Sequence, residues 1–145
     1  MAYMVTYSEN MSTGFMQALC PSAMLLLKCR LTGFRLVLRR IYAGAEFSIE
    51  RGTEEESVPA VVWEIDDAEE KGIKDYYPEG LFEKINFRLN TEKTQMDVFL
   101  FVLRDREPAL PDEKYIEKIA AAYEEHGFDF WYVEQAMDDA ADMLK

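Results

Sequence analysis

The sequence predicts one α+β domain over residues 1–145, in which a mixed, strongly curved or closed β-sheet precedes two C-terminal helices. Three observations support this prediction. Six or seven short segments have the alternation or the β-branched and aromatic composition of strands, and all lie before residue 104. Residues 112–144 instead show two helical patterns. A length of 145 residues with 49% hydrophobic residues is typical of one domain with its own core.

The N-terminal segments predict a strand and then a short helix. Tyr3–Tyr7 (YMVTY) is rich in β-branched and aromatic residues, which favour strands. Ser12 is suited to the N-cap of a helix, and Pro21 prevents that helix from continuing.

The middle of the chain predicts most of the sheet. Leu25–Leu38 alternates apolar and basic residues around Gly33, as a pair of strands or one bent strand would. Ala45–Glu50 alternates again, and Val58–Ile65 (VPAVVWEI) is an almost continuous apolar run that indicates a central strand.

A short helix and two strands are expected next. Asp66–Lys74 has acidic residues in its first turn, where the helix dipole favours negative charge. Ile85–Leu89 and Met96–Leu103 (MDVFLFVL) have the composition of strands.

Two helices complete the predicted domain after a linker that contains Pro108 and Pro111. Asp112–His126 carries apolar residues on one face, and Gly127 is suited to the C′ position that ends it. The last helix is predicted from about Asp129 to Leu144.

Charge and cysteine content exclude several classes of function. The net charge is −12, with +4 on residues 1–45 and therefore −16 on the rest, so we expect no direct binding to nucleic acid. No apolar run approaches the ~20 residues that span a bilayer, so we expect no membrane partner. Cys20, Cys29 and the single His126 do not have zinc-site spacing. We therefore expect no metal, no cofactor and a reducing, cytoplasmic location.

Six blocks, in order and in register from about residue 3 to residue 140, carry a resemblance. Tyr7–Met11 (YSENM) and Cys20–Ala23 (CPSA) look like Y-G-S-N-M…C-P-x-A. Leu31–Leu36 (LTGFRL) looks like L-x-G-Y-R-L, and Ala45–Glu50 (AEFSIE) like A-Y-A-T-I-E. The last two blocks are Val58–Ile65, similar to V-P-V-V-V-W-E-I, and Tyr115–Asp129, similar to Y-x-x-I-x-x-G-Y-x-x-F-G-F-D. Together they resemble the γ-glutamylcyclotransferase-like (AIG2-like) proteins.

The resemblance implies a small closed or nearly closed β-barrel with a pocket at one end. Members of this family release 5-oxoproline from γ-glutamyl compounds, because the substrate's amine attacks its own side-chain amide carbonyl while a carboxylate moves the proton. Backbone N–H groups of the Y-G-S-N loop must hold the α-carboxylate or the developing oxyanion. A glutamate in an L-D-x-Y-E-G segment must act as general base and then as acid.

This sequence departs from the family at both elements. Ser8 and Glu9 replace the glycine and serine of the loop, and the Glu9 charge would repel a carboxylate by about 1 to 4 kcal/mol at about 4 Å. A gapless alignment places Tyr77 at the base position, where a side chain with a pKa near 10 is a poor base. A two-residue insertion would instead place Glu79 there, with Asp75 as its acidic partner.

We expect the site between Tyr7–Met11 and Asp75–Gly80, with Glu79 as the catalytic residue only if the protein is active. The residues expected to bind a ligand there are Tyr7, Ser8, Glu9, Asn10, Met11, Phe47, Tyr76 and Tyr77.

Other residues with catalytic chemistry have structural interpretations. His126 is expected to cap its own helix, because a protonated histidine suits the C-terminal end of the dipole. Cys20 is expected to be a buried structural thiol. Glu46, Glu50 and Glu64 lie on predicted strands, and we expect each at the rim or facing outward, although one that faced inward could substitute as the base.

The resemblance and the departures imply a cyclotransferase-like protein that has lost its activity. It would bind a small amino-acid-like ligand in the pocket, or a basic protein partner through its acidic surface. Two alternatives are an active γ-glutamylcyclotransferase or γ-glutamylamine cyclotransferase with Glu79 as base, and an acidic inhibitor or decoy, for example of a mobile element. Glu134, Asp138 and Asp142 share one face of the last helix, and we call them the acidic stripe.

Overall fold

The computed structural model describes residues 1–145 and contains seven strands and four α-helices. The strands are β1 (Ala2–Thr6), β2 (Met24–Thr32), β3 (Phe34–Ile41), β4 (Gly44–Arg51), β5 (Ser57–Ile65), β6 (Phe82–Asn90) and β7 (Gln95–Leu103). The α-helices are α1 (Thr13–Leu19), α2 (Glu70–Tyr76), α3 (Glu113–His126) and α4 (Trp131–Met143). Single 3-10 turns at Glu9–Met11 and Asp67–Glu69 precede α1 and α2.

Five strands form a mixed sheet in the order β2-β5-β1-β7-β6. Only the β1–β7 pair is parallel, and the other pairs are antiparallel. The apolar strand β5 is paired on both sides, as its composition predicts: Val61 is the partner of Thr6 on β1 and of Lys28 on β2.

Strands β3 and β4 form a separate two-stranded sheet. Leu25–Leu38 is therefore two strands, β2 and β3, which do not pair with each other. The chain changes sheets at Gly33, whose φ of 83° lies in the left-handed region that glycine adopts without strain.

The five-stranded sheet is curled but not closed. Its edge strands β2 and β6 have no pairing between them, yet residues of both line one cavity together with residues of β4. The predicted α+β class, the curved mixed sheet and the two C-terminal helices are confirmed.

The core lies between the sheets and the C-terminal helices. Met4 on β1, Trp63 on β5, Leu100 on β7 and Tyr123 on α3 are almost completely buried. The indole Nε1 of Trp63 donates a hydrogen bond to Oγ1 of Thr6 at 2.9 Å, so the buried polar atom of this large side chain has a partner.

The helix ends follow the local sequence. Ser12 accepts a hydrogen bond from the Phe15 N–H at 3.4 Å and caps α1, as predicted. Asp112 accepts from the Tyr115 N–H at 2.9 Å and caps α3, and Gly127 ends α3 with a φ of 69°. No helix in the protein is both long enough and apolar enough to cross a membrane.

Candidate functional site

The loop that follows β1 folds into a compact, buried turn. Ser8, Asn10 and Met11 are each at least nine-tenths buried. The amide side-chain oxygen of Asn10 accepts from the backbone N–H and the hydroxyl of Ser8, at 3.3 and 3.2 Å. The Met11 N–H donates to the Ser8 carbonyl at 3.0 Å. Three hydrogen bonds within the loop itself therefore hold the turn.

Tyr77 joins this loop to the segment after α2. Its hydroxyl accepts a hydrogen bond from the Asn10 side-chain nitrogen at 2.7 Å. Its ring stacks on Phe101 with a centroid distance of 4.6 Å and an interplanar angle of 8°, and meets the edge of Phe82 at 5.0 Å. Burial, and then the negative charge of Glu9, raise the pKa of Tyr77 well above its usual value. This side chain stays protonated at neutral pH.

Glu79 lies in the turn between α2 and β6 and is exposed. Its backbone carbonyl accepts a hydrogen bond from Nε of Arg104. Its carboxylate makes no hydrogen bond or ion pair with the Tyr7–Met11 loop. The structure therefore brings Tyr77, and not the Glu79 side chain, into contact with that loop.

Glu9 places a carboxylate among buried aromatic side chains. Its Oε2 is buried and has no hydrogen-bond partner. Its negative charge also raises the pKa of the Tyr115 hydroxyl on α3, although burial of that hydroxyl is the larger cause. An acceptor without a donor is uncommon in a protein interior and is costly, so this carboxylate is an unusual feature of the loop.

Glu46 on β4 is the second carboxylate of this region. Burial and the nearby charge of Glu9 raise its pKa to about 7, while Lys118 acts in the opposite direction. Its carboxylate makes no hydrogen bond and no ion pair. Glu50, on the same strand, is held by a bidentate ion pair with Arg39 at 2.8 Å. Glu46 has no such partner, and its raised pKa lets it gain or lose a proton near neutral pH.

The remaining predicted ligand-binding residues are largely used in packing. The Tyr7 hydroxyl donates to the Phe101 carbonyl at 2.6 Å, and Phe47 is buried with its N–H donating to the Tyr115 hydroxyl at 2.9 Å. Tyr76 is about half exposed and meets the edge of the Tyr77 ring at 4.9 Å. We call Glu9, Glu46 and the four tyrosines the acid–tyrosine cluster: the tyrosines are Tyr7, Tyr76, Tyr77 and Tyr115.

Comparison with solved structures reveals the same architecture in other proteins. A structure described as a γ-glutamyl cyclotransferase superposes with a TM-score of 0.81 at 19% identity, over 93% of this chain and 85% of that chain. The chain has the γ-glutamylcyclotransferase-like fold. An uncharacterized protein from Homo sapiens superposes with a TM-score of 0.79 at 19% identity over the same shares. YkqA from Bacillus subtilis gives 0.74 at 13% identity, over 97% of this chain and 54% of that one. No protein-family model and no curated protein sequence matches the chain.

Within this γ-glutamylcyclotransferase-like fold, the His126 side chain contacts a loop that is distant from it in the sequence. Its side chain is buried, and its Nε2 lies within hydrogen-bond distance of the carbonyl of Met11. A carbonyl only accepts, so Nε2 carries the proton. His126 lies in the last turn of α3 directly before Gly127, as expected, but its ring does not cap that helix. It fastens the loop after β1 to the end of α3 instead.

Two members of the acid–tyrosine cluster were not identified as site residues from the sequence. Tyr115 reads as part of the apolar face of α3, and nothing in that pattern shows that its hydroxyl reaches the Phe47 N–H. Glu46 was expected at the rim or facing outward, and its side chain is partly buried. The buried run Phe47–Ile49 beside it breaks the alternation on which that expectation depends. Cys20 is fully buried, and no three His, Cys, Asp or Glu residues come together as a metal site requires.

Proposed function

We propose that this protein is a γ-glutamylcyclotransferase-like protein that has lost cyclotransferase activity and acts by binding. The observation that carries the proposal is the 2.7 Å hydrogen bond between Asn10 and Tyr77. This hydrogen bond holds a protonated tyrosine against the loop that would bind the substrate's carboxylate. A gapless alignment assigns the general base to the same position. A hydroxyl that stays protonated near pH 7 cannot accept the proton that cyclisation releases, and loss of a positioned base typically costs 10²- to 10⁴-fold in rate.

The charge of the site supports binding of a different kind of ligand. The unpartnered Oε2 of Glu9 lies on the loop where the family's chemistry calls for an anion to be held. A carboxylate there repels the α-carboxylate of a γ-glutamyl compound and attracts an ammonium group. The proposed ligand is a small amino-acid-like molecule with its amine directed toward Glu9 and Glu46.

Restoring the missing groups tests this proposal. In the double variant Tyr77→Glu with Glu9→Ser, we expect release of 5-oxoproline from γ-glutamyl dipeptides above the wild-type level, measured by mass spectrometry. The matched control is Tyr76→Glu with Glu9→Ser, which introduces the same charge at the adjacent, half-exposed tyrosine. Equal turnover in both double variants would contradict the assignment of the base position to Tyr77.

One observation favours a second candidate function, an active cyclotransferase that uses Glu46 as its base. A carboxyl group with a pKa of about 7 accepts a proton at neutral pH, which is what a general base requires. If wild-type protein is active, Glu46→Gln distinguishes this candidate from the one that uses Glu79. Loss of activity in Glu46→Gln with retention in Glu79→Gln identifies Glu46, and the reverse pattern identifies Glu79.

A basic protein partner is the other binding mode that the surface supports, whether the protein acts as an inhibitor, a decoy or an adaptor. All three members of the acidic stripe are exposed on α4. Only Asp142 has an ion pair, with the terminal Lys145 at 3.4 Å. Three exposed carboxylates on one helix face attract a cationic surface, and that attraction weakens steeply with salt.

A further inference from the structure

A cavity of about 570 Å³ lies on the molecule apart from the acid–tyrosine cluster. It is bounded by residues of β2, β3, β4, β6 and β7 and by Arg106, which follows β7. None of its lining residues belongs to Tyr7–Met11 or to the segment 75–80. The cavity exists because the edge strands β2 and β6 curl toward each other without pairing. Its volume is within the range of sites for small molecules.

The floor of this cavity is apolar. Leu31 on β2, Ile49 on β4 and Leu100 on β7 are buried beneath it. Phe34 and Phe87 also line the cavity, with ring centroids 6.1 Å apart and an angle of 46° between the rings. These side chains offer apolar and aromatic contact area to the body of a ligand.

Four of the arginines in this acidic chain line the same cavity. They are Arg30, Arg51, Arg88 and Arg106, and the acidic lining residues are Glu50 and Glu83, so the lining carries +2 in a protein with a net charge of −12. A positive concave surface in a negative protein concentrates anions locally.

Some of these guanidinium groups already make ion pairs with carboxylates, and others do not. Arg30 and Arg51 make no ion pair, and Arg51 lies over the Phe34 ring at 5.3 Å from its centroid. Arg106 is 3.7 Å from Glu50, whose carboxylate already accepts two hydrogen bonds from Arg39. Two arginines are therefore free to bind an acid group beside an aromatic surface.

We infer that this arginine-lined cavity binds a small organic acid with an apolar body. The acid group lies against Arg30 and Arg51, and the apolar body rests on Phe34 and Phe87. Guanidinium forks match the geometry of carboxylates and sulfonates, and the apolar floor excludes fully hydrated inorganic anions. The inference is independent of the proposed function, because it uses none of the residues of the acid–tyrosine cluster.

A pair of fluorescent probes that differ in one charged group tests it. Anilinonaphthalene sulfonate carries an anionic sulfonate, and N-phenylnaphthylamine has the same apolar rings without it. We expect one sulfonate probe to bind per chain, with an affinity that falls at least tenfold as salt rises from about 20 to about 500 mM. The neutral probe should show no such dependence. A salt-independent affinity of the sulfonate probe for wild-type protein overturns the inference.

Variants locate the binding. Arg30→Gln with Arg51→Gln is expected to weaken the sulfonate probe at least tenfold and to leave the neutral probe unchanged. Arg40→Gln is the matched control, because Arg40 pairs with Asp105 on the surface at 3.0 Å and does not line the cavity.

A variant that should strengthen binding of the sulfonate probe keeps the test decisive even if the double arginine variant fails to fold. Glu83→Gln removes a negative charge from the lining and is expected to tighten the sulfonate probe severalfold. If Glu83→Gln has no effect, or if the folded double arginine variant binds the sulfonate probe as well as Arg40→Gln does, the cavity does not bind the anion.

Discussion

The protonation of Glu46 makes the stability of this protein depend on pH. When the pKa of a carboxyl group is higher in the folded chain than in the unfolded chain, ionisation of that group lowers the free energy of unfolding. The pKa of Glu46 rises from 4.5 to about 7, chiefly because the side chain is buried and secondarily because Glu9 is close. Below about pH 4.5 the group is protonated in both states and costs nothing. The cost appears as the pH rises and is complete above about pH 7.

The magnitude follows from the size of the shift. A shift of this size in a fully buried group would correspond to about 3 kcal/mol, at 1.36 kcal/mol for each pKa unit. Because Glu46 is only partly buried, screening by solvent reduces the expected cost to about 1 to 2 kcal/mol. Glu46→Gln removes the ionisable group, so it should raise Tm by about 3 to 8 °C at pH 8.

Thermal unfolding of wild type and Glu46→Gln at pH 4.5 and pH 8 measures this effect. The difference in Tm between the two proteins should be at least about 3 °C larger at pH 8 than at pH 4.5. Glu64→Gln is the matched control, since Glu64 is also a half-buried strand glutamate without an ion pair. A Glu46→Gln effect that is equal at both pH values, or that destabilises the protein more at pH 8, would refute the reasoning.

Three further changes have defined outcomes. Tyr77→Phe leaves the buried Asn10 amide without its acceptor, so urea denaturation should show a free energy of unfolding that is lower by about 1 to 3 kcal/mol. An unchanged denaturation midpoint would contradict the contact. His126→Ala removes the donor to the Met11 carbonyl, and hydrogen exchange in the loop after β1 should accelerate more than exchange in β5. Replacing the acidic stripe with lysines should leave Tm nearly unchanged and abolish salt-sensitive binding of a polylysine probe, whereas retained binding would place any basic partner elsewhere.

Local patterns in the sequence predict the elements of this fold well. The strand segments, the Ser12 cap of α1 and the Gly127 end of α3 depend on neighbouring residues, and the structure confirms them. Sheet membership depends on distant partners instead. The alternation of Leu25–Leu38 fits either two strands or one bent strand. Only the pairing of β2 with β5 and of β3 with β4 decides that there are two strands in different sheets.

The candidate site is predictable in outline and not in detail. Motif positions bring the loop after β1 and the segment after α2 together, and the contact between Asn10 and Tyr77 joins them. The hydrogen bond of His126 to Met11 and the contact of Tyr115 with Phe47 join residues that are far apart in sequence, so no local pattern encodes them. The arginine-lined cavity likewise collects residues from both sheets, and it is visible only in the folded chain.

The measurement that tests the central claim most directly is the appearance of 5-oxoproline over several hours with purified wild-type protein. The substrates are γ-glutamyl dipeptides, glutathione and γ-glutamylamines, and the readout is mass spectrometry against buffer alone. Under the proposed assignment of Tyr77 to the base position, and with Glu9 in the loop, we expect no release above the buffer background. Release that is proportional to protein concentration, and that disappears in Glu46→Gln or Glu79→Gln, would contradict the loss of cyclotransferase activity.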